Sequence, residues 1–142
     1  MIDRIEHLGI AVNDLSSSEI LFEKLLNRKA YKAEDVESEA VRTLFFQVGD
    51  TKVELLEGRS EKSAITKYLS KRREGIHHIA LGVRDIHSEI LRLKKLGFEF
   101  INDQPKAGAD GKKIVFIHPR SANGILVELC EDRDEESVEE EE

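Results

Sequence analysis

The chain has 142 residues, 39% apolar and 36% charged, with a net charge of −7. That length suits one domain with a real core, and the acidic balance argues against a nucleic-acid partner. No apolar run reaches the roughly 20 residues of a membrane-spanning helix, and a lone cysteine, Cys130, excludes an internal disulfide and fits a reducing, cytoplasmic setting.

The N-terminal Met1-Ile2-Asp3-Arg4-Ile5-Glu6 runs directly into a predicted strand, about Asp3 to Val12, with no signal or transit peptide expected. Asn13-Asp14-Leu15-Ser16-Ser17-Ser18 offers N-cap residues. A helix follows to about Leu26, with Leu15, Phe22 and Leu25 at helical spacing, and Asn27-Arg28 ends it. Lys29 to Ala33 reads as a short edge strand and Glu34 to Glu39 as an acidic loop. Val41 to Val48 is a strand, Gly49-Asp50 a tight turn, and the strand Thr51 to Glu57 completes a βαβββ unit. Gly58 to Glu74 is a linker with a short helix, Ser63 to Leu69, and a basic Lys71-Arg72-Arg73.

A second unit repeats the order. Ile76 to Val83 is a strand, Ile86 to Leu96 a helix stopped by Gly97 at C′, and Phe98 to Asn102 a short strand. The loop Asp103 to Gly111, the strand Lys112 to His118, the turn Pro119 to Gly124 and a last strand to Glu131 follow. The reading is a single domain over 1–132: repeat one about 1–58, linker 59–74, repeat two about 75–132. Residues 133–142, ending in four Glu, self-repel and are expected to be a disordered acidic tail.

The repeat is visible in the residues. His7-Leu8-Gly9-Ile10-Ala11-Val12-Asn13-Asp14-Leu15 and His78-Ile79-Ala80-Leu81-Gly82-Val83-Arg84-Asp85-Ile86 share one pattern: His, apolar, small, apolar, small, Val, polar, Asp, apolar. Strand alternation puts His7, Gly9 and Ala11 on one face and Leu8, Ile10 and Val12 on the other; His78, Ala80 and Gly82 oppose Ile79, Leu81 and Val83 in the same way. The apolar face would pack under a helix, and a histidine followed by two tiny residues would leave a hollow. Both copies close on Val-Glu-Leu, so Glu54 and Glu128 are equivalent. Either His or Glu alone would be an ordinary satisfied polar residue. One of each per repeat on the hollow faces instead forms a set suited to a divalent metal such as Zn, Co, Ni, Mn or Fe. The fold class expected is α+β, two tandem βαβββ units forming a cupped mixed sheet.

Tandem βαβββ units with His and Glu ligands resemble the vicinal oxygen chelate superfamily, which holds glyoxalase I, extradiol dioxygenases and methylmalonyl-CoA epimerases. The finer pattern is similar to the epimerases. It lies in Gly49-Asp50-Thr51-Lys52-Val53-Glu54, the doubled Gly75-Ile76-His77-His78-Ile79, the loop Lys106-Ala107-Gly108-Ala109-Asp110-Gly111, the turn Phe116-Ile117-His118-Pro119-Arg120 and Gly124-Ile125-Leu126-Val127-Glu128-Leu129. It covers roughly residues 1 to 131.

The resemblance implies metal ligands at His7, His78 and Glu128, with Glu54 as a fourth, and a divalent ion, cobalt first, with Mn, Ni or Zn as alternatives. It implies epimerisation of (R)- and (S)-methylmalonyl-CoA by proton abstraction at C2 through an enolate, with Glu128 as base and with Glu54, a water or a further residue delivering the proton from the opposite face. It implies a CoA thioester as substrate, contacted through Lys106, Gly108, Gly111 and His118, and a homodimer. His118 could equally cap its loop. Lys106, Lys112, Lys113, Arg72, Arg73 and Arg120 are candidate cations for the CoA phosphates, a solvated face being the ordinary alternative. His77, on the face opposite His78, reads as structural, and Cys130 as core or pocket wall. A departure is that some relatives carry a second glutamate on the strand matching Val41 to Val48, where this chain has no acid, with Thr43 and Gln47 among its polar members. The alternatives are glyoxalase I, or a metal-free small-molecule binding protein on the same fold; an extradiol dioxygenase would be crowded by Glu54.

Overall fold

The computed structural model describes residues 1–132; the acidic tail expected over 133–142 lies outside them. The elements are β1 (Ile2–Ala11), α1 (Leu15–Leu26), β2 (Lys32–Val36), β3 (Val41–Val48), β4 (Thr51–Gly58), α2 (Ala64–Lys71), β5 (Gly75–Val83), α3 (Ile86–Lys95), β6 (Lys106–Ala107), β7 (Lys113–Ile117) and β8 (Val127–Glu131). The fold is α+β, built from two βαβββ repeats. The described residues form two compact units, one of residues 5–79 and one of residues 1–4 with 80–132.

In the first unit the strand order is β2-β3-β4-β1. β1 and β4 are parallel, and the other neighbours are antiparallel. This mixed ladder pairs Gly9 with Glu54 and His7 with Lys52, so His7, Gly9, Lys52 and Glu54 share one face. The opposite face is apolar. Ile10, Val12, Leu44, Phe46, Val53 and Leu55 pack there against Leu15, Phe22 and Leu26 of α1. Leu26 takes the place expected of Leu25, which is 69% exposed. A stripe at 15, 22 and 26 follows the 3.6-residue period, and position 25 falls off it. On the other side Ala11, Val41 and Leu56 pack with Ile65, Tyr68 and Leu69 of α2.

In the second unit the order β5-β8-β7-β6 repeats that ladder. Val83, Val115, Ile117 and Leu129 pack against Ile86, Ile90 and Leu93 of α3, and Ala80, Ile114 and Cys130 form a second cluster. Cys130 is 2% exposed, a core residue as expected.

The repeat extends to the helix starts. Asp14 and Asp85, equivalent in the alignment, are both side-chain N-caps, to Ser16 N at 3.1 Å and Ser88 N at 3.2 Å. The next residues also match: Leu15 N donates to Glu57 at 2.7 Å and Ile86 N to Glu131 at 3.2 Å. Each carboxylate ends the last strand of its repeat and satisfies an orphan helix N–H.

Two expectations about edge strands fail. β2 covers Lys32–Val36 rather than Lys29 to Ala33, because Asn27 ends α1 in the left-handed region (φ 52°) and several residues are needed to turn back onto β3. Phe98 to Asn102 is not a strand: only Phe100 bridges to Ile117. Gly97 turns the chain at φ 94°, and Phe98 and Phe100 give their side chains to the α3 core. The short strand in that position is β6, two residues long, after Pro105.

Candidate metal centre and active site

His7 stands in the middle of β1 and His78 near the start of β5, both at least 93% buried. Glu54, 4% exposed, lies on β4 beside Gly9. These three meet. His7 Nε2 lies 3.0 Å from His78 Nε2, and His7 Nδ1 lies 2.9 Å from Glu54 Oε2. Gly9 provides the space: a Cβ there would come within 2.2 Å of His78 Cε1. The hollow read from the small residues is therefore filled by the ring of the second repeat's histidine.

Two further residues reach the ring nitrogens. Glu6, 3% exposed, places Oε1 3.1 Å from His7 Nδ1 and is paired with Lys52 Nζ at 3.2 Å. His77 places Nδ1 3.0 Å from His78 Nδ1. It does not stand apart from His78, as strand alternation implied. Its ring meets Tyr68 of α2 edge-on at 5.0 Å, and Tyr68 Oη donates to Ile76 O at 3.3 Å. Burial lowers the His77 pKa from its ordinary value, which favours the neutral ring.

The donor set defines what fits between the rings. Carboxylates only accept, so a neutral His7 keeps its proton on Nδ1, facing Glu54 and Glu6, and presents a lone pair at Nε2. That lone pair faces another imidazole nitrogen at 3.0 Å, and a cation must bridge them: a proton, or a metal ion. Two imidazole nitrogens 3.0 Å apart are close enough to serve one ion together. Buried imidazoles backed by hydrogen-bonded carboxylates are the ordinary surroundings of a divalent metal. The residues present fit one.

Glu128, 4% exposed, is the second residue of β8, paired in register with Phe116 of β7. The loop residues are placed by backbone needs. Gly108 packs on Ile114, where a Cβ would come within 2.8 Å, and Gly111 has φ 69°. Lys106 Nζ lies 5.9 Å from the centre of the Phe116 ring. His118 Nδ1 accepts from Arg120 N at 3.2 Å, capping the turn that follows β7. Among the proposed phosphate cations, Lys112 is hydrogen-bonded to Asp132, Arg120 Nε donates to Glu99 at 2.6 Å, Lys113 pairs with Glu131 at 3.7 Å and Arg72 lies over Tyr68 at 5.6 Å. Sequence reasoning missed Glu6. Its signal was there, since Glu6 precedes His7 as His77 precedes His78. No helix among the described residues is long and apolar enough to cross a membrane.

Residues 6–116 match the Glyoxalase/Bleomycin resistance protein/Dioxygenase superfamily. The chain is 38% identical over 131 residues to the ethylmalonyl-CoA/methylmalonyl-CoA epimerase of Cereibacter sphaeroides, covering 91% of this chain and 98% of that one. The crystal structure of methylmalonyl-CoA epimerase from Mycobacterium tuberculosis superposes with a TM-score of 0.91 at 28% identity, covering 96% of this chain and 93% of that one. A variant of the Streptomyces coelicolor methylmalonyl-CoA epimerase, in complex with 2-nitronate-propionyl-CoA, superposes with a TM-score of 0.87 at 31% identity, covering 93% and 96%. The chain belongs to the Glyoxalase/Bleomycin resistance protein/Dioxygenase superfamily.

Proposed function

We propose that this chain is a methylmalonyl-CoA epimerase, an isomerase that exchanges the proton at C2 and so interconverts the R and S epimers. The observation that carries the reading is the buried His7–His78 Nε2 pair, in a chain related over nearly its whole length to epimerases of this substrate. The 2-nitronate-propionyl-CoA bound to the Streptomyces relative is a planar, anionic CoA thioester. It favours this chemistry over that of glyoxalase I.

C2 lies between a thioester carbonyl and a carboxylate, and loss of its proton places negative charge on the thioester oxygen. His7 and His78 through Nε2, Glu128, and Glu54 as the fourth member are the residues that would hold a divalent ion, cobalt first, with Mn, Ni or Zn as alternatives. When bound, the ion supplies Lewis-acid stabilisation of that charge. Glu128 takes the C2 proton; its burial keeps water from its carboxylate. β3 offers no acid: on the Glu54 side of the sheet its polar members are Thr43, a buried alcohol, and Gln47, an amide. Glu54, whose Oε2 lies 2.9 Å from His7 Nδ1, or a water is then left to return the proton from the opposite face. Lys106, Gly108, Gly111 and His118 are assigned to the CoA portion. A cytoplasmic homodimer is the proposed working state.

The test is proton NMR of one epimer of methylmalonyl-CoA in D2O, with metal-loaded protein and a chelated control. Metal-dependent loss of the C2 proton signal is expected. No exchange with metal confirmed bound would refute the epimerase reading and direct work to the hemithioacetal assay of glyoxalase I. No exchange and no bound metal would favour a binding protein.

A further inference from the structure

We infer that Glu34 is a further catalytic residue, the acid on β2 that exchanges a proton with the face of C2 turned away from Glu128. The inference rests on the epimerase reading above, and it starts from the register of the edge strand. β2 runs Lys32–Val36, so the stretch expected to be an acidic loop carries its first glutamate inside a strand. Glu34 pairs with Thr43 and Lys32 with Phe45. Phe45 in turn pairs with Glu54, and Glu54 with Gly9. Directly paired residues share a face, so Glu34 and Lys32 stand on the face that bears His7 and Glu54.

Burial agrees with this placement. Lys32, Glu34 and Val36 are half-buried, while Ala33 and Asp35 between them are exposed. Lys32 leans inward over the sheet, with Nζ 5.4 Å from the centre of the Phe45 ring and 3.7 Å from Glu34 Oε2. The Glu34 carboxylate thus lies beside a side chain that covers the neighbour of Glu54. Strands stand about 4.8 Å apart and rise about 3.3 Å per residue, which puts the Cα atoms of Glu34 and Glu54 about 12 Å apart across β3. Two glutamate side chains inclined toward each other over that span leave room between their carboxylates for a small acyl group.

The chemistry needs a group in this place. Interconversion of epimers requires one proton to leave C2 on one face and another to arrive on the opposite face. In one direction Glu128 takes the C2 proton, and the electron pair of the broken C–H bond passes to the thioester oxygen as the enolate. Glu34, protonated, then gives its proton to C2 as the pair returns to carbon. The reverse direction begins with Glu34 as the carboxylate and Glu128 as the acid. Glu34 lies outside the proposed ligand set, so changes in its protonation do not cost an ion a ligand. β3, between Glu34 and Glu54, offers only an alcohol and an amide on this face.

The experiment follows each epimer of methylmalonyl-CoA separately in D2O with the metal-loaded full chain. Proton NMR reads exchange at C2, and circular dichroism reads interconversion. In Glu34→Gln interconversion should fall about 100-fold or more, while one epimer, the one whose C2 proton faces Glu128, keeps exchanging that proton. The other epimer should stop exchanging. Bound metal by elemental analysis should stay at the wild-type level. A merely structural role for Glu34 would slow both epimers alike. Asp35→Asn is the control, since Asp35 is 57% exposed and points from the other face of the same strand; it should behave as wild type. Wild-type interconversion in Glu34→Gln, or equal loss of exchange from both epimers, overturns the inference and leaves the epimerase reading intact. A wild-type protein that binds metal and exchanges neither epimer overturns the epimerase reading, and the inference with it.

Discussion

Gly9→Ala tests the site through its smallest member. A Cβ at this position would lie 2.2 Å from His78 Cε1 and 2.6 Å from both ring nitrogens. Carbon atoms in contact need about 3.5 Å, so the ring must retreat by about 1.3 Å. Because three ring atoms are overlapped, rotating the ring in place does not clear the methyl, and the ring must swing away from His7. Metal–ligand distances are held to about 0.2 Å, so the displacement is several times what one ligand set tolerates. The expected loss of zinc affinity exceeds the roughly 10- to 100-fold that follows removal of an outer partner. Overpacking of a buried position also costs about 1–3 kcal/mol, which at this size lowers the melting temperature by about 2–4 °C per kcal/mol. Gly75→Ala is the control, since nothing lies within 4 Å of a Cβ there. Chelator competition and thermal melts read both effects. Wild-type zinc affinity in Gly9→Ala would refute the claim that Gly9 exists to seat the His78 ring.

Glu128→Gln should retain the fold and lose nearly all C2 proton exchange in D2O; near-normal exchange removes it from the role of base. His7→Ala and His78→Ala should each lose bound metal by elemental analysis, and full occupancy in either variant would sink that ligand assignment. The Lys112 hydrogen bond, with help from Arg4, holds the Asp132 carboxyl below the usual carboxylate range. Its folded pKa is depressed, so its contribution to stability is present above the unfolded value, about 3.9, and is lost as pH falls through the folded value. Urea melts from pH 2 to 6 should therefore show a shallower acid loss in Asp132→Asn than in wild type, and equal slopes would refute the linkage.

What the sequence disclosed and what it hid separate along physical lines. The central strands, both helix starts and the His7, Glu54 and His78 grouping were legible. Each is written twice, and a duplicated pattern of alternation and capping is hard to mistake. The edge strands were not. β2 and β6 are short, polar and paired on one side only, so little burial pattern marks them, and their positions follow from where the preceding turn releases the chain. The partners of the histidine rings were hidden for a different reason. Alternation assigns Glu6 and His77 to the face away from His7 and His78, yet both reach the neighbouring Nδ1, the ring nitrogen nearest the backbone. A face rule describes where side chains leave the strand, and a one-residue contact between nitrogen atoms beside the backbone escapes it.

The two copies differ where the site needs them to differ. Gly9 corresponds to Ala80, and Ala11 to Gly82. Gly9 admits the His78 ring, whereas Ala80 is fully buried against Ile114 and Cys130, and Gly82 lies under the Arg4 side chain. Only the first copy can therefore receive the other's histidine. The outer partners differ as well: carboxylates stand behind His7, and a neutral imidazole stands behind His78. The divergence at Glu6 and His77 thus leaves the two facing Nε2 atoms on rings with unlike neighbours, carboxylates beside one Nδ1 and an imidazole beside the other.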